Sequence, residues 1–410
     1  HVSSGPSMGV AWVLSNEDFL ADMSVVNFLK IRTSIGINKN DYFDDYYLYR
    51  YLYQEGASFV YNNGNSSNRA LIYSSVKNDI DFQKRRDFSI GLDAAMFESA
   101  LKINLGYFNS SSYDNVTLMN YTFPQVIGYQ NLVFDNYNSY LNQGFEFGSS
   151  YDLKIGDWML SAGVNLLWQQ PKITKFEEFQ YQGIDKELMR EGTAGDAMWA
   201  LESHGLYGED DFTADGSLIE GLPVPAFSKV QEGDIKYLDK NDDGIIDNRD
   251  RRIIGNWSVR TQLGLFFRLK YKNLAFYMQG IGRFGSSDYR SGDYHWIAGN
   301  MKYPEHVNEA YGPNNKDLNA IYPRLSVVWN NNNYRLSDYW LYSNNSFTIP
   351  TLQFSYYFKS KSEGSFLENS EIYIRATDIV VINKNKKYTE LNIDSAPQTR
   401  TIALGFVTSF

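Results

Sequence analysis

Apolar and polar residues alternate with a period of two along much of the chain. The alternation is clearest at 29–37, 88–96, 101–107, 158–168, 259–271 and 402–410. Successive side chains of a β-strand point to opposite faces, so each run places its apolar residues on one face of a sheet. Several runs reach about ten residues, whereas strands of globular proteins average about 5–6. The pattern predicts an all-β protein made of long antiparallel strands.

The two faces of these strands differ in a way that favours a membrane. The polar faces carry charge, Gly and Ser, and the apolar faces often end in an aromatic residue, as at Tyr107, Trp158, Trp168 and Tyr271. Aromatic residues at both ends of an apolar band are typical of transmembrane β-barrels, whose interior is polar. No apolar run approaches the roughly 20 residues of a membrane-spanning helix. We therefore predict a transmembrane antiparallel β-barrel, with about 12–14 of its strands in this chain.

The predicted strands are joined alternately by short and long connections. The short connections fall at 97–99, 155–157 and 272–273. The long connections fall at 39–85, 109–140, 169–256 and 282–335. Outer-membrane barrels have short periplasmic turns and long extracellular loops, so we expect the long connections on the outside. The Asn-rich stretches 62–65 and 330–333 are predicted to be loop or turn. No linker divides the chain, so residues 1–410 are predicted to form one domain.

The composition narrows the function. The chain has 410 residues, no Cys, four His and a net charge of −10, which disfavours disulfides, Cys-ligated metals and nucleic-acid binding. Adjacent carboxylates such as Asp44 and Asp45 would point to opposite faces of a strand and could not act as an acid–base pair. The sequence contains no G-x-S-x-G, phosphate-loop or H-E-x-x-H motif. We expect no enzymatic activity.

Residues 239–250 match the spacing of a calcium-binding loop. The candidate ligands are Asp239, Asn241, Asp243, the carbonyl of Ile245, Asp247 and Asp250. Calcium prefers about six to eight oxygen ligands, and this spacing wraps the backbone around one ion. Asp250 stands where such loops usually have a longer, bidentate Glu, which would weaken calcium binding or admit magnesium. A structural ion is predicted, and the alternative is an Asp/Asn-rich turn held by its own side-chain-to-backbone hydrogen bonds.

The calcium-like loop lies within a block, 233–256, that resembles a known family. Its sequence, GDIKYLDKNDDGIIDNRDRRIIGN, is similar to the signature of the SusC/RagA family of TonB-dependent outer-membrane transporters. Shorter stretches resemble that family in the same order, at 27–36, 88–93, 142–147 and 400–410. Residues 376–380 depart from the family pattern.

The resemblance implies a 22-stranded barrel with an N-terminal plug, which is energised by TonB and covered by a SusD-like surface lipoprotein. The chain would be the C-terminal part of such a barrel in the outer membrane of a Gram-negative bacterium, with the plug domain absent. Because an open sheet edge is not viable in lipid, we expect the plug and the first strands to lie in the remaining N-terminal part of the transporter. The cargo would be oligosaccharides or oligopeptides.

Aromatic residues in the last long loop are the candidate cargo contacts. Tyr289, Tyr294 and Trp296 are candidates to stack on sugar rings or peptide side chains, and the alternative is that they pack within the loop. Two other functions stay open. One is a siderophore or cobalamin receptor of the same transporter class. The other is a soluble, secreted calcium-binding β-protein that binds glycans.

Overall fold

The fold is almost entirely β. The computed structural model describes residues 3–20, 23–40, 53–61, 64, 66–73, 79–119, 134–178, 188–358, 370–390, 396 and 398–408. One short α-helix, α1 (Lys386–Thr389), lies in these ranges. The 3-10 turns are Leu14–Asn16, Asp18–Leu20, Glu209–Asp211, Asn248–Asp250, Glu305–Glu309 and Asp338–Trp340. Among the helices of the described residues, none has the length and apolar character needed to cross a bilayer.

The first of two compact units comprises His1–Gly148 and Trp168–Gly195. Its strands are β1 (Ser7–Val13), β2 (Val26–Asn40), β3 (Tyr53–Tyr61), β4 (Ser66–Tyr73), β5 (Gln83–Met96), β6 (Leu101–Leu118), β7 (Phe134–Ile155) and β8 (Trp158–Lys175). Strands β7 and β8 have residues in both units. The main sheet has the order β1-β2-β5-β6-β7-β8, and β3 and β4 form a separate hairpin. Each main strand therefore pairs with its neighbours in sequence once that hairpin is set aside.

The second unit comprises Ser149–Leu167 and Asp196–Phe410. Its long strands continue the order from β8 as β15 (Thr261–Tyr271), β16 (Leu274–Phe284), β19 (Ser346–Tyr357), β20 (Glu371–Ile382) and β21 (Thr401–Val407). Its short strands are β9 (Ala197–Ala200), β10 (Ser203–Leu206), β11 (Val224–Pro225), β12 (Ile235–Tyr237), β13 (Ile245–Ile246), β14 (Arg252–Asn256), β17 (Ser287–Tyr289) and β18 (Leu341–Ser343). They pair as β9–β14, β10–β12, β11–β13 and β17–β18.

One face of the large sheet in the second unit is apolar and exposed. A single row of paired residues crosses five strands, formed by Leu269, Phe276, Phe354, Ile374 and Leu404. Leu404 is 73% exposed and Phe354 58%, although both are large hydrophobic residues. Such a band is stable only against another apolar medium, and it matches the lipid-facing surface of an outer-membrane strand. The prediction of long antiparallel strands is confirmed. The large sheet of the described residues has eleven strands, against the 12–14 or so that were predicted.

The short connections lie where they were predicted. Phe97, Glu98 and Ser99 all have positive φ, between 55° and 65°, in the turn between β5 and β6. Gly156 and Lys272 have φ of 57° and 52° in the turns that follow β7 and β15. Left-handed residues give the chain reversal that tight hairpins need.

The long connections are shorter than predicted because several strands run into them. Strand β6 extends to Leu118 and β7 begins at Phe134, so most of 109–140 is strand rather than loop. Likewise β8 extends to Lys175, and the hairpin of β3 and β4 lies within 39–85. The segment 109–115 has polar residues on both faces, which hides the alternation. Its polar side chains bond to the next strand, as Asn115 Nδ2 does to the Asn138 carbonyl at 2.8 Å.

The buried core of the second unit lies in its connections rather than in its long strands. The segments 196–256 and 285–343 supply its buried apolar residues, Met198, Leu201, Leu206, Ile235, Tyr237, Ile246, Tyr289, Ala310, Tyr311, Ala320, Tyr322, Tyr334 and Trp340. Trp340 is fully buried at its centre. We call this packed region the loop core. The segments 196–256 and 285–343, most of which lie in two of the predicted long loops, thus form one folded body.

Candidate functional site

A buried carboxylate holds the two halves of the loop core together. Asp234 is fully buried, and its Oδ1 lies 2.7 Å from Nε of Arg324. The amides of Asn330 and Asn333 donate to the same oxygen at 3.0 and 2.8 Å. The backbone N–H of Gln231 donates to Oδ2. A buried charge is stable only when paired and hydrogen-bonded, and here one cation and three N–H donors satisfy it.

The Asn-rich stretch 330–333 is loop, as predicted, but Asn330, Asn332 and Asn333 are buried. Asn333 Oδ1 accepts the Ile235 N–H at 2.9 Å, and Asn332 Nδ2 donates to the Ile235 carbonyl at 2.8 Å. The Tyr237 hydroxyl donates to the Asn332 carbonyl at 2.7 Å. The side chains of Asn332 and Asn333 therefore bond to the backbone of β12, as a neighbouring strand would. They fix the position of the last long connection, which carries the candidate cargo residues.

The three predicted cargo residues lie in different surroundings. Trp296 packs into the loop core, with its ring centroid 6.2 Å from those of Tyr334 and Trp340. Tyr289 is buried beside Trp257. Tyr294 is half-buried, and its ring centroid lies 4.8 Å from that of His306. Trp296 thus packs within the loop, which was the alternative to cargo binding, whereas Tyr289 and Tyr294 line cavities.

A cavity of about 400 Å³ lies beside Tyr294. Its lining residues are Tyr294, His295, Glu305, His306, Asn308, Glu309, Tyr322, Lys387 and Tyr388, and we call it the His–Tyr cavity. A second cavity of about 230 Å³ shares His295 and Tyr388 with it and is also lined by Tyr289. Sequence reasoning missed His295, His306, Tyr322 and Tyr388. The available signal was that two of only four histidines fall in the same aromatic-rich connection.

The imidazole and phenol rings that line the His–Tyr cavity are uncharged at physiological pH. His295 is 5% exposed, and its Nδ1 lies 3.0 Å from the Tyr322 hydroxyl. Burial, helped by the charges of His306 and Arg290, lowers the pKa of His295 to about 4. Burial also lowers the pKa of His306 and raises that of the Tyr322 phenol. Both imidazoles are therefore uncharged and the phenol stays protonated.

Two rings of this cavity are stacked, and one ring nitrogen has no hydrogen-bond partner among the described residues. His306 and Tyr322 lie nearly parallel, with centroids 4.4 Å apart. His306 Nε2 is buried and has no hydrogen-bond partner among the described residues. A buried polar nitrogen without a partner costs free energy, so this atom is available to a bound group. Glu305, Asn308, Glu309 and Lys387 add charged and amide groups to the lining.

The calcium-like loop is folded around its own hydrogen bonds. Asp250 is fully buried, and its two oxygens accept the N–H groups of Lys240 at 2.8 Å and Asp247 at 2.7 Å. Asp239 Oδ2 accepts the Gly244 N–H at 2.7 Å. Asp243 Oδ1 accepts the Ile245 N–H at 3.0 Å, and Asn241 Oδ1 accepts from Asp243. This matches the predicted alternative, a turn held by side-chain-to-backbone bonds.

An arginine balances the charge of this loop. The Arg249 guanidinium lies 2.6 Å from Asp243 Oδ2 and 2.9 Å from Asp247 Oδ2, and it lowers the pKa of Asp247. Within the described residues no three Asp, Glu or His side chains are grouped to hold a metal. Asp239 Oδ1, however, is buried without a hydrogen-bond partner among those residues. One oxygen of a predicted ligand therefore lacks a partner in this loop.

Comparison with known proteins places the fold in one class. No family model matches the chain. The chain is 22% identical over 441 residues to TonB-dependent receptor P3 of Formosa agariphila, covering 99% of this chain and 42% of the relative. The RagAB peptide importer in its open-open state has the same fold, with a TM-score of 0.71 at 15% identity, covering 98% of this chain and 42% of the neighbour. The class to which the chain is similar is that of the TonB-dependent receptors.

Within that class the similarity extends to SusC itself. The chain is 23% identical over 282 residues to TonB-dependent receptor SusC of Bacteroides thetaiotaomicron, covering 66% of this chain and 26% of the relative. The resemblance to the SusC/RagA family predicted from residues 233–256 is confirmed. The predicted location in the outer membrane of a Gram-negative bacterium is confirmed by the same relatives. The chain spans less than half the length of the curated relatives that it matches.

Proposed function

We propose that the chain is the C-terminal barrel part of an outer-membrane nutrient importer of SusC type, which takes up oligosaccharides or oligopeptides and depends on TonB. The observation that carries the proposal is the exposed apolar row across β15, β16, β19, β20 and β21, together with the sequence match to SusC. A plug and further strands in the N-terminal part of the transporter would complete the barrel and couple it to TonB. The chain's own role would be passage rather than catalysis.

The partner would be a SusD-like surface lipoprotein that closes over the loop core. The segment Leu325 to Trp329 supports this, since Val327 is 86% exposed and Val328 71%. It is also held firmly, because the Arg324 N–H donates to the Gly233 carbonyl and the Gly299 N–H to the Ser326 carbonyl. A fixed, exposed apolar segment outside the lipid is typical of a protein contact. RagAB is named as a peptide importer, which supports import by a related arrangement.

Co-purification tests the partner. We expect the Val327→Asp/Val328→Asp variant to lose a co-purifying surface lipoprotein while the barrel still reaches the outer membrane. Val224→Asp changes a similarly exposed valine elsewhere in the connections and should leave the pair intact. Loss of the lipoprotein in both variants, or in neither, would contradict the proposal.

Membrane extraction tests the class. An importer of this type needs detergent for extraction and shows heat-modifiable mobility in gels. A soluble glycan-binding protein would show neither property. A siderophore or cobalamin receptor would behave as a barrel but would take up an iron or cobalt complex, and uptake of labelled cargo separates it from a nutrient importer.

We also propose that the loop 239–250 binds a structural calcium ion, or magnesium in its place, once Arg249 moves away. The spacing of the oxygens and the unpartnered Asp239 Oδ1 support this. The ion would then take the place of the guanidinium between Asp243 and Asp247. Its role would be to stiffen a connection that has no disulfide.

A further inference from the structure

The His–Tyr cavity has the size and setting of a small-molecule site. Its volume of about 400 Å³ lies within the usual range for ligand pockets, roughly 300–1,000 Å³. Its lining residues lie in the segment 294–309, at Tyr322 and in α1. None of them belongs to a described strand. Both Tyr294 and Tyr388 border it. The cavity is therefore built by the long connections and not by the barrel wall.

The lining combines ring faces with interleaved hydrogen-bond donors and acceptors. Glu305 and Glu309 offer only acceptors when ionised, and Lys387 offers only donors. Asn308 offers both, and the unpartnered His306 Nε2 adds one more position. A ligand that satisfies this wall must both donate and accept hydrogen bonds. Hydroxyl groups do so, because each is a donor and an acceptor at once.

The remaining walls are aromatic and uncharged. Tyr294, Tyr322 and Tyr388 border the cavity with both imidazoles. Aromatic faces pack well on the C–H surface of a saturated ring, and they carry no charge that would select an ion. One common mode of recognition for an extended peptide uses backbone hydrogen bonds along a strand edge, and no residue of this lining belongs to a described strand.

We propose that the His–Tyr cavity binds one neutral sugar ring of an oligosaccharide, with ring stacking on Tyr294 and hydroxyl contacts to Glu309 and His306 Nε2. The inference rests on the proposed function and narrows its cargo to the saccharide class. The cavity volume of about 400 Å³ is large enough for one such ring.

Binding by the intact importer tests the site. The importer, purified in detergent with its co-purifying lipoprotein, is titrated with a panel of short neutral oligosaccharides by calorimetry and by saturation-transfer NMR. We expect at least one saccharide to bind. Tyr294→Ala and Glu309→Gln should each weaken it by about tenfold, the usual effect of losing a stacking partner or a charged hydrogen-bond acceptor.

Two matched variants serve as controls. Tyr303→Ala removes an exposed tyrosine nearby that does not line the cavity, and Glu220→Gln neutralises an exposed carboxylate away from it. Both should bind like the unchanged protein. Glu309 is exposed and Glu309→Gln keeps its shape, so this variant reports on binding rather than folding.

Three results would overturn the inference. The first is that no saccharide of the panel binds, the second is that binding is unchanged in Tyr294→Ala and Glu309→Gln, and the third is that oligopeptides bind at this cavity instead. Heat-modifiable mobility and co-purification of the lipoprotein are measured on the same sample. If these persist while saccharide binding fails, the importer proposal stands and only the cavity assignment falls.

Discussion

The ring of Tyr373 lies across Gly405, its direct partner on the neighbouring strand. A β-carbon at 405 would lie 2.2 Å from Cζ of Tyr373, far inside contact distance. The glycine therefore leaves room for an aromatic ring to cover the backbone of β21. The same arrangement occurs where the ring of Phe266 covers Gly163. Aromatic side chains that cover a neighbouring glycine stabilise sheet pairing at such positions.

Replacing this glycine should weaken the pairing of β20 with β21. We expect Gly405→Ala to force Tyr373 from its position, at a cost of about 1–3 kcal/mol for overpacking. The measurement is the fraction of heat-modifiable, folded barrel after refolding. Gly312→Ala is the control, because a β-carbon there meets no atom within 4 Å. Adding Tyr373→Ala to Gly405→Ala should recover part of the loss, and equal folding of both glycine variants would refute the argument.

The ion pair between Asp234 and Arg324 should stabilise the loop core strongly. Removing one partner of a buried pair leaves the other charge unpaired, at a cost of about 3–5 kcal/mol. We expect Asp234→Ala to expose the segments 228–238 and 324–335 to protease in whole cells. Asp210→Ala removes an exposed carboxylate and should change nothing. Resistance of Asp234→Ala equal to that of the unchanged protein would show that the pair is dispensable.

Calcium should bind more tightly when Arg249 is removed. In Arg249→Ala, Asp243 and Asp247 lose their guanidinium partner and become free to face a cation. We expect about a tenfold gain in calcium affinity by calorimetry, and a loss of binding in Asp239→Asn. Arg251→Ala, which removes an exposed arginine next to the loop, is the control. If neither the unchanged protein nor Arg249→Ala binds calcium or magnesium, the loop is only a turn.

Acid should loosen the loop core through His295. Its pKa is about 4 in the folded protein against 6.5 for an ordinary histidine, so the unfolded chain binds the proton more readily. The stability is thus fully present above about pH 6.5 and is lost progressively as the pH falls to about 4, by about 3 kcal/mol at most. We expect protease cleavage near 294–309 to increase over this range. His295→Gln should lessen the pH dependence, whereas His204→Gln, at an exposed position, should not.

The long strands could be predicted because alternation is a local property. Each apolar run indicates which face of its strand is apolar. The tight turns at 97–99 and 272–273 could be predicted because the alternation stops there. The extension of β6 through 109–118 could not be predicted in this way. Polar residues occupy both faces over 109–115, and the pairing of the segment is fixed by neighbours such as Asn138.

The candidate site was predictable only in part. Tyr294 could be proposed because it is aromatic and lies in a long connection. Its neighbours His306, Tyr322 and Tyr388 join it through folding of distant segments, which no local pattern reports. Asn333 is typical of a turn in sequence, yet it is buried. Its burial could not be predicted, because its partner Ile235 lies 98 residues away in sequence. The charge of Arg249 was visible in the sequence, but its place between two candidate ligands was not.

The loop core also bears on how this protein reaches its native state. The connection after β8 and the connection between β16 and β19 are long, and closing a long loop costs entropy and slows folding. Contacts such as the bond from Tyr237 to Asn332 join these two connections to each other. Once this body condenses, the strand ends that it links are held close together, and pairing can proceed like the closing of short hairpins. The loop core would then form early and set the order in which the strands assemble.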